Sequence, residues 1–144
     1  ILLRMKSANN QKAGIVNRQI IQHSEYGEYT DFVIAQARHE SADFTSKVYR
    51  DNNNPFGMKV PGKRGFLGTQ GTPAPASEGK GMYYARYESD TVAFQDFLKY
   101  LRAVRFPVGL TTVDQYAKAL KERGYFGDTL ANYTKALKKW LAKA

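Results

Sequence analysis

One six-residue run, Phe32-Val33-Ile34-Ala35-Gln36-Ala37, limits what this chain can fold into more than anything else in it. Wound as a helix, the run is apolar nearly all round. Such a helix belongs in the centre of a domain, because no face of it is suited to water. The flanking residues predict that helix from Asp31 to about Ser41, with Thr30 as its N-cap. The rest of the chain must then supply a shell of one-sided helices, and it does. Asn9 to His23 reads as a first helix with Val16, Ile20 and His23 in register. Ala93, Phe97, Tyr100, Leu101 and Val104 form a second stripe. Thr112-Val113-Asp114-Gln115 is a capping box that opens a helix with Val113, Tyr116, Ala117 and Leu120 on one face, and Gly124 stops it. Leu130, Tyr133, Leu137, Trp140 and Leu141 make the last stripe.

Lys47 to Gly81 breaks this pattern. It holds most of the Gly and Pro, a run of three Asn, and little helical periodicity. Phe56 to Val60 and Met82 to Tyr87 read as short strands, with turn formers at Pro61 to Gly65 and a long mobile loop from Gly68 to Gly81. The expected fold is therefore α+β and predominantly helical, with a small β lobe of two or three strands, about residues 56–88, inserted after the second helix.

A length of 144 residues is expected to make a single domain over 1–144. The chain starts on Ile1 rather than methionine, as expected of a processed product or a piece of a longer protein. The first residues are too short for a signal sequence, and no run of apolar residues is long enough to span a membrane. With no cysteine, thiol nucleophiles, disulfides and cysteine-held zinc or iron–sulfur centres are excluded. Two histidines make a tight transition-metal site implausible, so no metal and no cofactor are expected. His39-Glu40 is not a zinc-protease motif, since Asp43 stands where the second histidine would be. No phosphate-binding glycine loop and no Gly-x-Ser-x-Gly elbow occur. Carboxylates remain as the natural catalysts. The net charge of +9 implies an anionic partner, with nucleic acid, membrane and bacterial wall as candidates; solubility alone explains it equally well.

Glu40 is the most informative carboxylate. It shares a face with Val33, Gln36 and Ala37 on the helix expected to be buried. Partial desolvation there favours the protonated form that a general acid needs. The plainer alternative is a helix-end glutamate, solvated or paired with Arg38 or Arg50.

The segment Ala35-Gln36-Ala37-Arg38-His39-Glu40-Ser41 resembles the AQAxxES segment of the glucosaminidase domains of glycoside hydrolase family 73, lysozyme-like enzymes that cut bacterial peptidoglycan. Three further pieces are similar and in the same order. They are Asn53-Asn54-Pro55-Phe56-Gly57-Met58-Lys59, Tyr87-Glu88-Ser89, and Tyr116-Ala117 through Leu120, Gly124-Tyr125, Asp128 and Tyr133. Together they cover roughly residues 30–140. Two departures stand out: Ala42-Asp43-Phe44 follows the Glu-Ser pair in place of the frequent Gly-Trp, and the spacing from Asp128 to Tyr133 is longer than usual.

The resemblance implies an endo-β-N-acetylglucosaminidase with Glu40 as general acid. It implies a second group, which is a base, a nucleophile or the substrate's own acetamido group. Glu78 is the acidic residue between Asp51 and Glu88, and it serves as that group or as a solvated loop charge. Tyr125 matches a tyrosine near the acid, and it meets the acetamido group or simply packs. Asn53, Asn54, Phe56 and Gly57 are expected to shape the groove floor, with a structural turn as the equal alternative for Asn53. Tyr83, Tyr84 and Tyr87 offer flat faces to sugar rings or simply pack, with Tyr83 and Tyr87 on one strand face and Tyr84 on the other; Tyr87 and Asp128 complete the expected substrate contacts. The expected partner is the peptidoglycan glycan strand, outside the cell, in the periplasm or on a phage particle. A monomer is expected, since nothing in the sequence supports an oligomer. Two other functions compete: a non-catalytic glycan-binding or structural module on the same fold, and nucleic-acid binding by Lys118 to Lys143. The lysines of that last segment alternate with a core stripe, so a solvated outer face accounts for them.

Overall fold

A computed structural model of the chain describes residues 17–61 and 67–143. Most of the expected first helix, and most of the Pro61 to Gly65 turn, lie outside the described residues. In chain order the elements are α1 (Arg18–Gln22), a 3-10 turn (Gly27–Tyr29), α2 (Thr30–Glu40), α3 (Lys47–Asn52), β1 (Lys59–Val60), β2 (Thr69–Pro73), a second 3-10 turn (Ala76–Glu78), β3 (Tyr83–Arg86), α4 (Asp90–Ala103), α5 (Val113–Glu122) and α6 (Leu130–Ala142). The architecture is α+β, mostly helical and lysozyme-like, with one small antiparallel sheet.

Helix α2 is central, as its sequence requires. Of its residues only Asp31 is exposed. It packs against α6 on one side and α1 on the other, and α6 in turn packs on α5. Thr30 is not its N-cap. The 3-10 turn runs straight into the helix, and the Thr30 hydroxyl donates back to the Gly27 carbonyl at 2.6 Å. At the other end the chain leaves the helix through three successive left-handed residues, Ala42, Asp43 and Phe44, at φ of 50°, 56° and 62°. Such a conformation costs an L-residue about 1 kcal/mol or more. Side chains hold it in place: Ser41 Oγ accepts from the Phe44 amide at 2.8 Å and donates to the Ala37 carbonyl, while Arg38 Nε donates to Asp43 at 2.9 Å. Phe44 is buried edge-on against Tyr49.

The capping box of α5 forms as expected: Thr112 Oγ1 accepts from the Gln115 amide, and Gln115 Oε1 accepts from the Thr112 amide. Gly124, at φ +70°, closes that helix. The amides of Gly124 and Tyr125 donate to the Lys121 and Leu120 carbonyls, satisfying two acceptors of the last turn.

The β lobe differs from its expected form in three respects. First, a short helix, α3, precedes it, started by Ser46, whose hydroxyl accepts from the Tyr49 amide. Its six residues are too few to show a period. Second, only Lys59–Val60 of the expected first strand is paired. Third, the stretch from Gly68 to Gly81 is not a free loop. Its first part is strand β2, paired antiparallel to β3, which lies between β2 and β1. Asn52 ties β2 to α3: its amide donates to Thr72 Oγ1 at 2.9 Å, and its carbonyl oxygen accepts from the Thr72 amide at 3.1 Å. Gly71 permits this approach, because a Cβ there would lie 2.1 Å from Asn52 Oδ1. The hydrophobic core joins lobe and helices through Phe56, which stacks on Phe97 with centroids 4.3 Å apart.

Candidate active site

Glu40 is the last residue of α2 and half-buried. It opens into a cleft of about 420 Å³ between the helical body and the β lobe. The helical wall carries His39, Glu40, Tyr125, Phe126, Gly127, Asp128 and Tyr133; Phe56, Gly57, Lys59, Ser77 and Glu78 complete the lining from the lobe side. Glu40 and Glu78 therefore face one groove.

The Glu40 side is built from rings. Tyr133 Oη donates to Glu40 Oε1 at 3.2 Å. Burial, and then the nearby Glu40 charge, push the Tyr133 hydroxyl well above its ordinary pKa of 10, so it keeps its proton and remains a donor. Phe126 stacks flat on Tyr133 at 3.8 Å, and His39 meets the same ring edge-on at 5.4 Å. Burial holds His39 below its ordinary 6.5, partly opposed by Asp128. Lys121 fixes the turn that carries Phe126, donating to the Asp128 carbonyl at 2.7 Å and to those of Phe126 and Gly127 at 3.4 Å. Gly57 passes Glu40 at φ +67°, a conformation that L side chains rarely adopt; a Cβ there would meet Glu40 Oε2 at an ordinary 3.5 Å.

Tyr125 lines the cleft, but its hydroxyl donates to the Phe56 carbonyl at 2.8 Å. The geometry makes it a brace between the helical body and the residue before Gly57. Phe56 contributes its backbone to the cleft, while its ring lies in the core. Asp128 is at the cleft, with Oδ1 accepting from the Thr129 amide at 2.7 Å and from Asn132 at 3.3 Å.

Three expected contacts are elsewhere. Asn54 is buried, and its amide group is fully used: it donates to the Met58 and Ala85 carbonyls and accepts from the Phe56 and Met58 amides. Asn53 ends α3 in the left-handed region and donates to the Tyr87 carbonyl at 2.9 Å. Tyr87 is buried, with its hydroxyl on the buried Asp96 at 2.5 Å. These side chains hold the lobe's shape rather than lining the groove. Sequence patterning placed all three in the site because short polar and aromatic residues at a lobe entrance look alike whether they face sugar or backbone. Tyr133, Phe126, His39 and Lys59 were missed as site residues. The signal for Tyr133 was a ring carrying a hydroxyl in a stripe otherwise made of Leu130, Leu137, Trp140 and Leu141.

Among the described residues no group of three or more His, Asp or Glu side chains converges as a metal site would require, and no described helix is long and apolar enough to cross a membrane.

Comparison with known proteins bears on the fold and on the family. No curated protein matches the chain. A solved structure described as a type VI secretion system effector–immunity complex from Pseudomonas protegens shares the fold, with a TM-score of 0.56, 23% identity and 78% of each chain covered. The model of the glucosaminidase family, described as mannosyl-glycoprotein endo-β-N-acetylglucosaminidase, matches residues 18–144. The match takes in both walls of the cleft, and the chain belongs to the glucosaminidase family.

Proposed function

We propose that this protein is an endo-β-N-acetylglucosaminidase that hydrolyses β-1,4 bonds of bacterial peptidoglycan, with Glu40 as general acid. The observation that carries the reading is the setting of Glu40: a half-buried carboxyl at the end of the central helix, facing a groove with a second carboxylate, Glu78, on the other side. Most glycoside hydrolases use such a pair. Glu40 gives its proton to the glycosidic oxygen as the C1–O bond breaks and positive charge spreads over C1 and the ring oxygen. Water adds to C1, and Glu78 takes the proton that water loses. Tyr133 holds Glu40 in position throughout. The net charge of +9 draws the protein to a wall rich in carboxylates. Its place of action is where that substrate lies, outside the cytoplasm or on a virion.

The test is release of reducing ends from purified sacculi by the parent and by Glu40→Gln, with mass spectrometry of the fragments. The expected outcome is new GlcNAc reducing ends from the parent and almost none from the variant. No release by the parent would leave the alternative, a non-catalytic glycan-binding module on this fold. Equal release by both proteins would remove Glu40 from the acid's role.

A further inference from the structure

Glu78 is in an exposed turn, yet its position is defined. The turn Ala76–Glu78 closes through the Glu78 amide, which donates to the Pro75 carbonyl at 2.9 Å. The Ala74 amide donates to the Met82 carbonyl across the base of the same loop at 3.0 Å. Two side chains from the sheet then reach the carboxylate. Tyr84 Oη donates to Glu78 Oε2 at 3.3 Å, and Lys59 Nζ lies 3.8 Å from the same oxygen. Lys59 and Tyr84 are register partners on β1 and β3, so their side chains leave the sheet together on one face. The Lys59 ammonium also lies 5.7 Å from the centre of the Tyr84 ring and 3.4 Å from the Gly57 carbonyl. Its side chain is only 17% exposed, against 43% for Glu78.

We propose that the cross-strand pair Lys59 and Tyr84 is a seat for Glu78, two positioning residues that hold the second carboxylate at the cleft. The proposal rests on the reading of Glu78 as the group that takes the water's proton. Without the pair, a glutamate on an exposed turn samples many rotamers, and few of them aim at the groove. With it, one oxygen is held by the sheet and the other is left for water. Tyr84 is suited to the role because burial, and then the Glu78 charge, raise its hydroxyl above the ordinary 10, so it stays a donor. The lobe's three short strands thereby gain a catalytic purpose: they bring together two residues, from separate parts of the chain, that a single loop could not align.

The test is a set of mutant cycles read as kcat and KM on soluble peptidoglycan oligosaccharides, with melting curves to confirm folding. Lys59→Met and Tyr84→Phe are expected to lower kcat about five- to tenfold each, with KM changed less than about twofold. In a Glu78→Gln background the same changes should have almost no effect, because the residue they position is already disabled. Lys59→Arg should keep most of the activity. Tyr84→Phe removes one oxygen and keeps the ring, so it answers the question even if Lys59→Met fails to fold. Equal losses in both backgrounds would overturn the seat, as would an effect confined to KM, which would mean that Lys59 binds substrate directly. Full activity of Glu78→Gln is a different failure, that of the underlying assignment.

Discussion

The two walls of the cleft present their carboxylates in opposite ways. Glu40 ends a helix in which only Asp31 is exposed, and aromatic rings back its neighbours. Glu78 is on an exposed turn of a three-stranded sheet and is held by two side chains. One carboxylate takes its position from the hydrophobic core, the other from a local arrangement at the surface. The physical consequence is a difference in surroundings. An acid that must hold a proton benefits from a half-buried site, whereas a group that must accept one from water benefits from contact with solvent.

The largest expected effect breaks the helical wall's chemistry without touching its structure. Glu40→Gln should lower kcat about 10²- to 10⁴-fold, the usual contribution of a positioned general acid, while melting stays within about 0.5 kcal/mol of the parent. A variant that loses activity only by unfolding would contradict this separation.

Next comes the seam that supports the other wall. Asn52→Ala removes both Thr72 hydrogen bonds and the one from its own amide to the Val48 carbonyl, in a residue with no exposure. The cost should be about 2–3 kcal/mol. Hydrogen exchange should quicken in β2 and β3 well before it quickens in α2, because the helical body keeps its packing. Uniform quickening would show that the lobe and body unfold as one unit.

Tyr133→Phe probes how far the ring stack alone positions Glu40. The stack on Phe126 survives and the donated hydrogen bond is lost. An ordinary hydrogen bond contributes about 0.5–1.5 kcal/mol, so kcat should fall about two- to tenfold with little change in KM. An unchanged kcat would mean that packing is sufficient.

These contrasts also explain what was legible in the sequence. The helical body was, because Phe32 to Ala37 permits one kind of environment and the stripes of α4, α5 and α6 repeat often enough to be read. The capping box was legible because two residues at fixed spacing satisfy each other. The lobe was less so. Strand β2, Thr-Gln-Gly-Thr-Pro, has no apolar alternation, since none of its residues is buried; its pairing comes from β3 and Asn52 rather than from its own pattern. In the cleft, Glu40 is the residue that local sequence and family resemblance single out. Asn54 and Tyr87 were misplaced because their partners are backbone and Asp96, groups that no motif names. Lys59 and Tyr84 are 25 positions apart in sequence, as their numbers show, and only strand register makes them neighbours.

A smaller effect tests the turn that releases the chain from the central helix. Ala42 is exposed and left-handed at φ 50°. Ala42→Gly should relieve that conformation and raise stability by up to about 1 kcal/mol, less the entropy the unfolded chain gains. Melting temperature is the readout. A loss of stability would show that Ser41 and Arg38 already hold the turn without strain.

The smallest expected effect lies at the far end of the helical body, where Arg102 donates two hydrogen bonds to Glu25, at 2.8 and 2.6 Å. Their pairing lowers the Glu25 carboxyl from 4.5 to about 2, with the Arg102 hydrogen bond as the main cause. A depressed carboxyl stabilises the fold above its unfolded pKa, and that contribution fades as pH falls through the folded value. Both side chains are about half exposed, so solvent screens the pair and its worth is below about 1 kcal/mol. Arg102→Gln should therefore melt slightly below the parent at pH 7 and low salt. The gap should narrow as pH falls from 4.5 towards 2, and added salt should shrink it at pH 7. Activity should not change, because neither residue lines the cleft. A gap that persists at pH 2 would mean that Arg102 contributes by packing its stem rather than by charge.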